Sequence, residues 1–455
     1  MRIFWLLGRT ASLLALLLAG SWAIAATSNT HEYVLPNGLK LIVREDHRAP
    51  VVVSQVWYRV GSSYETVGRT GLAHVLEHMM FKDTKHLATG EFSRIMASVG
   101  ASENAFTSRD ATAYYQVLAA DRLPLSFELE AERMQHLHIS DEEFARELQV
   151  VMEERRQRVD DRPQGIAYER FLATAHQASP YGNPVIGWPQ DLKSMTAQDM
   201  RDWYQTWYAP NNAIVVVVGD VKGEEVLQLA TRYFGPIPSR ELPLVKPLIE
   251  VNKPGARRIE LELENARLPS LLMGFNVPVL NTADEAWETY ALRMLSGVLD
   301  GGYSARIESQ LVRGSEVASG AGAGYSAFGR GDSLFTLSGT PNVQQGRTLE
   351  DLEAAFWDQI EQLQQTPPTS DELARIKAQV ISSLVYEQDS ISSQAQQIGT
   401  LESIGLSWRV LEDELDNLNA ITPEQIQQVA QRYLTRERLT VATLSPKPAS
   451  DAITQ

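Results

Sequence analysis

Seven stretches of the chain concentrate apolar, β-branched and aromatic residues in short runs that are typical of β-strands. They are residues 39–43, 51–60, 113–118 and 213–218 in the first half, and residues 259–263, 333–338 and 439–444 in the second half. Strands and helical patterns occur in blocks rather than in strict alternation, which favours mixed or antiparallel sheets with helices packed on one side. The sequence therefore predicts an α+β fold.

Several helical patterns occur twice along the chain. A long helix that opens at Ser140 has a counterpart that opens at Ser370, and an amphipathic helix that follows Thr196 corresponds to one that follows Thr422. In both halves the amphipathic helix leads into a strand, and the offset stays at about 225 to 230 residues. This regularity predicts the duplication of one α+β unit, so that the chain contains two homologous units.

Prolines cluster between the two halves, where five of the 21 fall between residues 236 and 254. Such a cluster predicts a linker rather than a folded element. We therefore expect an N-terminal unit at residues 26–240, a linker at 241–254 and a homologous C-terminal unit at 255–455.

The first 25 residues have the pattern of an export signal. Arg2 and Arg9 flank the start of an apolar run, and Ala23-Ile24-Ala25 offers the small residues of a signal peptidase site. We expect cleavage before Ala26, with an uncleaved N-terminal anchor as the alternative. No later stretch approaches the roughly 18 consecutive apolar residues of a membrane span, so none is expected in the mature chain.

Composition excludes several classes of site and partner. The 455 residues include no cysteine, which excludes disulfide frameworks, cysteine-based zinc sites and iron–sulfur clusters. The formal net charge of −16 argues against nucleic acid as a partner, because neutralising phosphates requires a basic face.

Residues 71–80 predict a helix that carries two histidines and a glutamate on one face. At about 100° per residue, His74, Glu77 and His78 point in similar directions, while apolar residues occupy the opposite face. Two imidazoles four residues apart can bind one metal ion, and the carboxylate between them faces the same space. This H-x-x-E-H order reverses the commoner H-E-x-x-H zinc motif. The alternative is a pair of buried histidines without a metal.

A third metal ligand is expected on the helix that follows Ser140. Ser140 and Glu143 form a predicted capping box, from which the helix phase can be counted. Glu147 and Glu154 then lie at the edge of the apolar stripe, whereas Glu153 points to solvent. A carboxylate against the core is costly unless it is paired or bound to a metal. Glu154 is therefore the predicted ligand and Glu147 a supporting group or auxiliary base; the alternative is that both are partly exposed helix glutamates.

The sequence resembles the pitrilysin/insulysin family of zinc peptidases, and within it the half-length branch that contains mitochondrial processing peptidase and bacterial relatives. The resemblance covers nearly the whole mature chain and is more specific in the first half. It rests on the segments His74-Val75-Leu76-Glu77-His78-Met79-Met80-Phe81-Lys82, Leu35-Pro36-Asn37-Gly38-Leu39, Asn104-Ala105-Phe106-Thr107 and Tyr208-Ala209-Pro210-Asn211-Asn212.

The resemblance implies a role for each candidate site residue in the first unit. His74, His78 and Glu154 would bind one Zn²⁺ per chain, leaving an open position for water. Glu77 would be the general base that accepts a proton from the zinc-bound water, and Glu147 the supporting glutamate.

The resemblance also implies how substrate and partner would bind. Asn104 and Ala105 would pair with the substrate backbone by strand addition. The second half of such proteins usually supplies an arginine followed closely by a tyrosine. Here Arg313 provides the arginine, but Ser319 or Gly320 stands where the tyrosine is expected. We therefore expect a homodimer, or a heterodimer with a paralogue that supplies the Arg–Tyr pair.

These observations predict a periplasmic zinc metalloendopeptidase that hydrolyses peptide bonds of short or unfolded polypeptides. The alternative is a non-catalytic or partner-dependent subunit of a heterodimeric peptidase or assembly complex, since the fold can be kept when the chemistry is lost. A purely structural zinc site fits poorly, because structural sites are closed by four ligands.

Overall fold

A computed structural model describes residues 29–447 of the chain. The predicted signal segment, residues 1–25, lies outside the described residues. Within 29–447, no helix is long and apolar enough to cross a membrane.

The first half forms a six-stranded mixed sheet with the strand order β1-β2-β6-β3-β5-β4. Strands β2 and β6 are parallel, and all other neighbours are antiparallel. Strand β4 lies at one edge of this sheet. The strands are β1 (Thr30–Val34), β2 (Lys40–Glu45), β3 (Val51–Tyr58), β4 (Ser102–Thr107), β5 (Thr112–Ala119) and β6 (Ala213–Gly219).

The second half forms a five-stranded sheet with the order β7-β11-β8-β10-β9, in which β7 and β11 are the parallel pair. The parallel pair and the edge strand β9 thus repeat the positions that β2, β6 and β4 have in the first sheet. The predicted α+β class and its two homologous units are confirmed. The strands are β7 (Arg257–Leu263), β8 (Ser270–Val277), β9 (Ala318–Gly324), β10 (Ser333–Pro341) and β11 (Leu439–Pro446).

Helices connect the strands in both halves. Those of the first half are α1 (Leu72–Met79), α2 (Glu91–Ser98), α3 (Leu123–His136), α4 (Asp141–Arg155), α5 (Pro163–Ala175), α6 (Pro189–Ser194), α7 (Ala197–Trp207) and α8 (Gly223–Tyr233). Those of the second half are α9 (Ala286–Asp300), α10 (Leu349–Gln365), α11 (Ser370–Glu387), α12 (Ile391–Ser403), α13 (Val410–Ala420) and α14 (Pro423–Tyr433). Helix α4 continues without a break into a π-helical turn, Arg156–Asp160.

Strand β6 shows how the first sheet is buried on two faces. Val215 and Val217 belong to the main core, which the sheet forms with most helices of its own half. Ile214, Val216 and Val218 belong to a second apolar cluster on the opposite face. Burial on both faces explains why β6 is a continuous apolar run rather than an alternating one.

Each sheet receives one helix from the other half on this opposite face. Helix α12 of the second half packs on β3 and β6, and helix α5 of the first half packs on β11 and β8. Both contacts depend on a glycine that admits a large ring. A Cβ atom on Gly399 would lie 2.1 Å from the indole of Trp57, and one on Gly274 would lie 2.5 Å from the ring of Phe171. The two halves are therefore held together by exchanged helices.

The proline-rich segment between α8 and β7 contains no helix or strand within the described chain. Glu250 in this segment is nevertheless buried and accepts hydrogen bonds from the backbone N–H groups of Gln177, Ala178 and Ser179 at 3.0 to 3.2 Å. The predicted linker is thus attached to the first unit at this point. The exact domain boundaries at 240 and 255 remain a prediction.

Replacing Gly399 by Ala is expected to lower the free energy of unfolding by about 1–3 kcal/mol, because the added methyl group overlaps the indole of Trp57. Chemical denaturation of the purified protein measures this loss. Gly320→Ala on the edge strand β9 is the control, since its Cβ would meet nothing within 4 Å. Equal losses in the two variants would contradict a specific role for the contact.

Candidate metal centre

The buried side chain of Glu65 accepts hydrogen bonds from backbone N–H groups at the start of helix α1. Glu65 is 6% exposed and accepts hydrogen bonds from the backbone N–H of Gly71 and of Ala73, both at 2.8 Å. Gly71 precedes the helix with φ of 92°, in the left-handed region that favours glycine. Burial raises the pKa of Glu65 to about 8, against the effect of the two N–H donors. These two hydrogen bonds and the conformation of Gly71 therefore fix the residue at which α1 begins.

Helix α1 holds His74 in the neutral form that metals bind. His74 is 8% exposed, and its burial, together with the nearby charges of His78 and Arg158, lowers its pKa to about 3. A proton therefore does not compete for this imidazole near neutral pH. The apolar side of the helix, which includes Leu72, is buried in the main core.

Helix α4 begins at a side-chain cap, although the predicted capping box is only half formed. Ser140 Oγ accepts a hydrogen bond from the backbone N–H of Glu143 at 3.2 Å. The Glu143 carboxylate does not return to the cap but pairs with Arg146. Glu153, predicted to face solvent, pairs with Arg156 at the exposed surface. The opposite side of α4 packs against α1.

The contact between α1 and α4 brings His74, His78 and Glu154 together. Glu154 Oε2 lies 3.3 Å from His78 Nε2 and 3.8 Å from His74 Nε2. One possible ligand atom from each residue lies within 4.8 Å of the others, and no second group of this kind occurs in residues 29–447. Two imidazole nitrogens and one carboxylate oxygen form a donor set that suits zinc, with a coordination position left open.

Glu147 contacts the ring of His78 from the side away from Glu154. Its carboxylate lies 3.4 Å from His78 Nδ1 and 2.6 Å from Lys82 Nζ. Burial alone would raise the pKa of Glu147, but the hydrogen bonds from His78 and Lys82 lower it. Glu147 is thus an ionised carboxylate that can orient the imidazole, as outer groups do around metal-bound histidines.

Glu77 lies on the same helix and is held by the edge strand of the first sheet. Thr107 Oγ1 of β4 donates a hydrogen bond to Glu77 Oε2 at 2.5 Å. Burial raises the pKa of Glu77, only partly offset by this hydrogen bond and by the nearby His78. A carboxylate whose pKa is raised toward neutrality is suited to accept and return a proton.

These groups line one cleft of about 1140 Å³. Asn104 and Ala105 line it from the edge strand β4, and Tyr168 and Leu172 of α5 line it as well. Arg313 is not among the lining residues. Its guanidinium stacks 3.6 Å from the ring centre of Tyr303 in the second unit.

Three residues that contact the predicted side chains were not themselves predicted as site residues. Arg158 follows Glu154 by four positions and pairs with it at 2.9 Å, whereas Lys82 lies beyond the last residue of α1 and contacts Glu147 of another helix at 2.6 Å. The helical spacing could have indicated the contact of Arg158 but not that of Lys82. Thr107 gave no such signal, because its contact with Glu77 joins a strand to a helix that is distant along the chain.

Comparison with known proteins identifies relatives along most of the chain. The family model of Insulinase (Peptidase family M16) matches residues 40–188, and that of the Peptidase M16 inactive domain matches residues 194–380. The zinc protease PqqE of Helicobacter pylori is 35% identical over 396 residues, which cover 84% of this chain and 86% of that protein. The probable mitochondrial-processing peptidase subunit beta of Arabidopsis thaliana is 25% identical, over 94% of this chain and 81% of its own length.

A solved structure has the same architecture. The crystal structure of a protease from Helicobacter pylori superposes with a TM-score of 0.86 and is 30% identical in sequence. The match covers 92% of this chain and 99% of that one. The family predicted from the sequence motifs is therefore confirmed.

The pH dependence of the stability of the metal-free protein is expected to reveal that His74 is neutral in the folded state. Below about pH 6.5 the unfolded state protonates this histidine, whereas the folded state does not do so until about pH 3. The unfolded state then binds more protons, so stability falls as the pH falls. His74→Gln removes this term, and the variant should lose about 1–3 kcal/mol less than the wild type between pH 6.5 and 4. Denaturant unfolding at each pH measures the difference.

His138→Gln, which removes an exposed histidine, controls for the loss of an imidazole as such. Stability curves of the wild type and of His74→Gln that run parallel from pH 6.5 to 4 would contradict the neutral state of His74.

Proposed function

The chain belongs to the insulinase family of peptidases (peptidase family M16), and on that premise we propose that it is a zinc-dependent endopeptidase acting on short or unfolded polypeptides. The observation that carries the proposal is the convergence of His74, His78 and Glu154 beside Glu77 in one open cleft. Three ligands leave a coordination position for water, as catalytic sites require.

The chemistry divides between the metal and the side chains around it. Zinc, when bound by His74, His78 and Glu154, supplies a Lewis acid that polarises a carbonyl and lowers the pKa of water. Glu77 is the general base: it takes the proton of the attacking water and passes it to the leaving amine. Glu147 accepts a hydrogen bond from the other ring nitrogen of His78 and so orients the imidazole toward the metal.

The edge strand β4 is the proposed binding surface for the substrate backbone. An extended peptide that adds to this edge would pair with the backbone around Asn104 and Ala105. Because Thr107 at the end of the same strand holds Glu77, such a peptide would pass beside the base. Backbone pairing fits unfolded polypeptides, since their extended segments have backbone N–H and C=O groups without intramolecular partners.

Export to the periplasm is part of the proposal and rests on the N-terminal signal pattern. A partner subunit is also proposed, as a second copy of this chain or a paralogue. Arg313 is engaged by Tyr303 and Glu308, and Ser319 lies on β9 where a tyrosine was expected. Within residues 29–447 the second unit therefore contributes no Arg–Tyr pair to the lining of the cleft, which also favours the alternative of a partner-dependent subunit.

Glu77→Gln should retain zinc but lower the turnover of a quenched peptide library by about 10²- to 10⁴-fold, because the amide cannot accept the proton. Metal content and cleavage are measured together, with and without a zinc chelator. Glu153→Gln is the matched control, since it makes the same substitution at an exposed position of α4. A fully active, zinc-loaded Glu77→Gln enzyme would exclude Glu77 as the base.

The purified chain alone should bind zinc yet cleave the peptide library slowly, because a second copy would lack the same tyrosine and only a paralogue would supply the Arg–Tyr pair. Sedimentation analysis of the same preparation reports whether it forms homodimers. Rapid, chelator-sensitive cleavage by a homogeneous preparation of this chain would contradict the need for a paralogue.

A further inference from the structure

We propose that the second unit, which has no metal-binding group of its own within the described chain, positions the metal ligand Glu154 through helix α5 and the buried pair Arg155–Glu169. The inference rests on the proposed metal site and adds the positioning residues that the site needs. Neither Arg155 nor Glu169 belongs to the ligands or to the proposed proton-transfer machinery.

The first step is an ion pair directly beside the ligand. Arg155 follows Glu154 at the last residue of α4, and its guanidinium donates to both carboxylate oxygens of Glu169 at 2.7 and 3.0 Å. The same guanidinium donates to the backbone oxygen of Gly187 at 2.8 Å and lies 3.2 Å from Asp160. The two paired side chains are only 4% and 8% exposed. A buried, bidentate ion pair of this kind fixes both the distance between the two side chains and their relative orientation.

The second step is the place of Glu169 on α5. One side of this helix, including Tyr168, Glu169 and Leu172, lines the cleft. The adjacent side, with Phe171 and Ala175, is buried against the second sheet, and Leu172 packs there as well. Helix α5 therefore contacts both the cleft of the candidate metal centre and the second sheet.

The third step is the way the second sheet holds α5. Gly274 of β8 leaves room for the ring of Phe171, which a Cβ atom there would approach to 2.5 Å. Arg257 donates to the backbone oxygens of Thr174 and Ala175, both at 3.0 Å, and Asn276 donates to that of Ala175 at 2.9 Å. These bonds satisfy the last carbonyl groups of α5, so the helix cannot slide or turn without leaving them unpaired.

Together these contacts form a continuous path from the second sheet to the end of α4. The beginning of α4 is fixed locally by Ser140, but its last turn is tied to α5 through Arg155. Glu154 lies in that last turn. Losing a group that contacts a metal ligand directly typically weakens metal binding 10- to 100-fold. Because Arg155 and Glu169 act through the residue next to the ligand, a loss at the lower end of this range, about 10-fold, is expected.

The direct test compares Glu169→Gln with Glu153→Gln in the full chain. Both remove one carboxylate charge that pairs with an arginine of the same region, but the Glu153 pair is exposed. Competition with a zinc chelator should show about 10-fold weaker zinc binding for Glu169→Gln and wild-type binding for Glu153→Gln. Equal zinc affinity of Glu169→Gln and the wild type would overturn the proposal.

A second test changes residues of the second unit that are not part of the metal centre. Gly274→Ala displaces Phe171 and with it α5, whereas Gly399→Ala disturbs the other exchanged helix, α12, through Trp57. Both variants should melt at lower temperature, but only Gly274→Ala should weaken zinc binding, by at least several-fold at a temperature where both are folded. Equal weakening in both variants would mean a general loss of stability and would overturn the proposal.

Hydrogen exchange of the metal-free proteins gives a readout that needs no zinc. Faster exchange at the last turn of α4 in Glu169→Gln, but not in Glu153→Gln, is expected if the pair holds this turn. Unchanged exchange there would overturn the proposal, even if the wild type itself failed to bind zinc. Failure of the wild type to bind zinc would overturn the proposed function instead.

Discussion

The candidate site depends on one physical constraint: ionisable groups that α1 and α4 remove from water must find partners among the residues around them. Glu147 has Lys82 and His78, and Glu77 has Thr107. Glu154 has Arg158 on one oxygen, while its other oxygen faces the two imidazoles. A divalent cation at that point would complete the pairing, because the nitrogens of neutral imidazoles and a carboxylate oxygen are all electron-pair donors.

The same constraint explains why the second unit matters although it carries no such group in its described residues. Its sheet repeats the strand order of the first, but its edge strand β9 consists of Ala, Ser and Gly and contributes no ligand. What it supplies is a surface on which α5 docks. The first unit supplies the equivalent surface for α12. Within the described residues, duplication has therefore produced one unit with the candidate metal-binding group and a second whose contacts fix the geometry of the first.

The sequence was informative where a contact is local. His74, Glu77 and His78 share one face of a short helix, so their spacing alone predicts their common direction. Glu154 could be proposed because the cap at Ser140 set the helix phase, even though Glu143 did not complete the capping box.

Contacts between elements that are distant along the chain gave no periodic signal. The exchanged helices α5 and α12 have apolar faces that any amphipathic helix would show, so nothing in them identifies the sheet that they cover. The pair Arg155–Glu169 appears in the sequence only as two charged residues, which are more often solvated. Since a metal bound between α1 and α4 would stabilise the arrangement by a free energy that rises with the logarithm of its affinity, the zinc affinity itself reports on how well these distant contacts hold α4 in place. The geometry of Glu154 is thus a property of the whole two-unit fold, whereas the directions of His74 and His78 are a property of one helix.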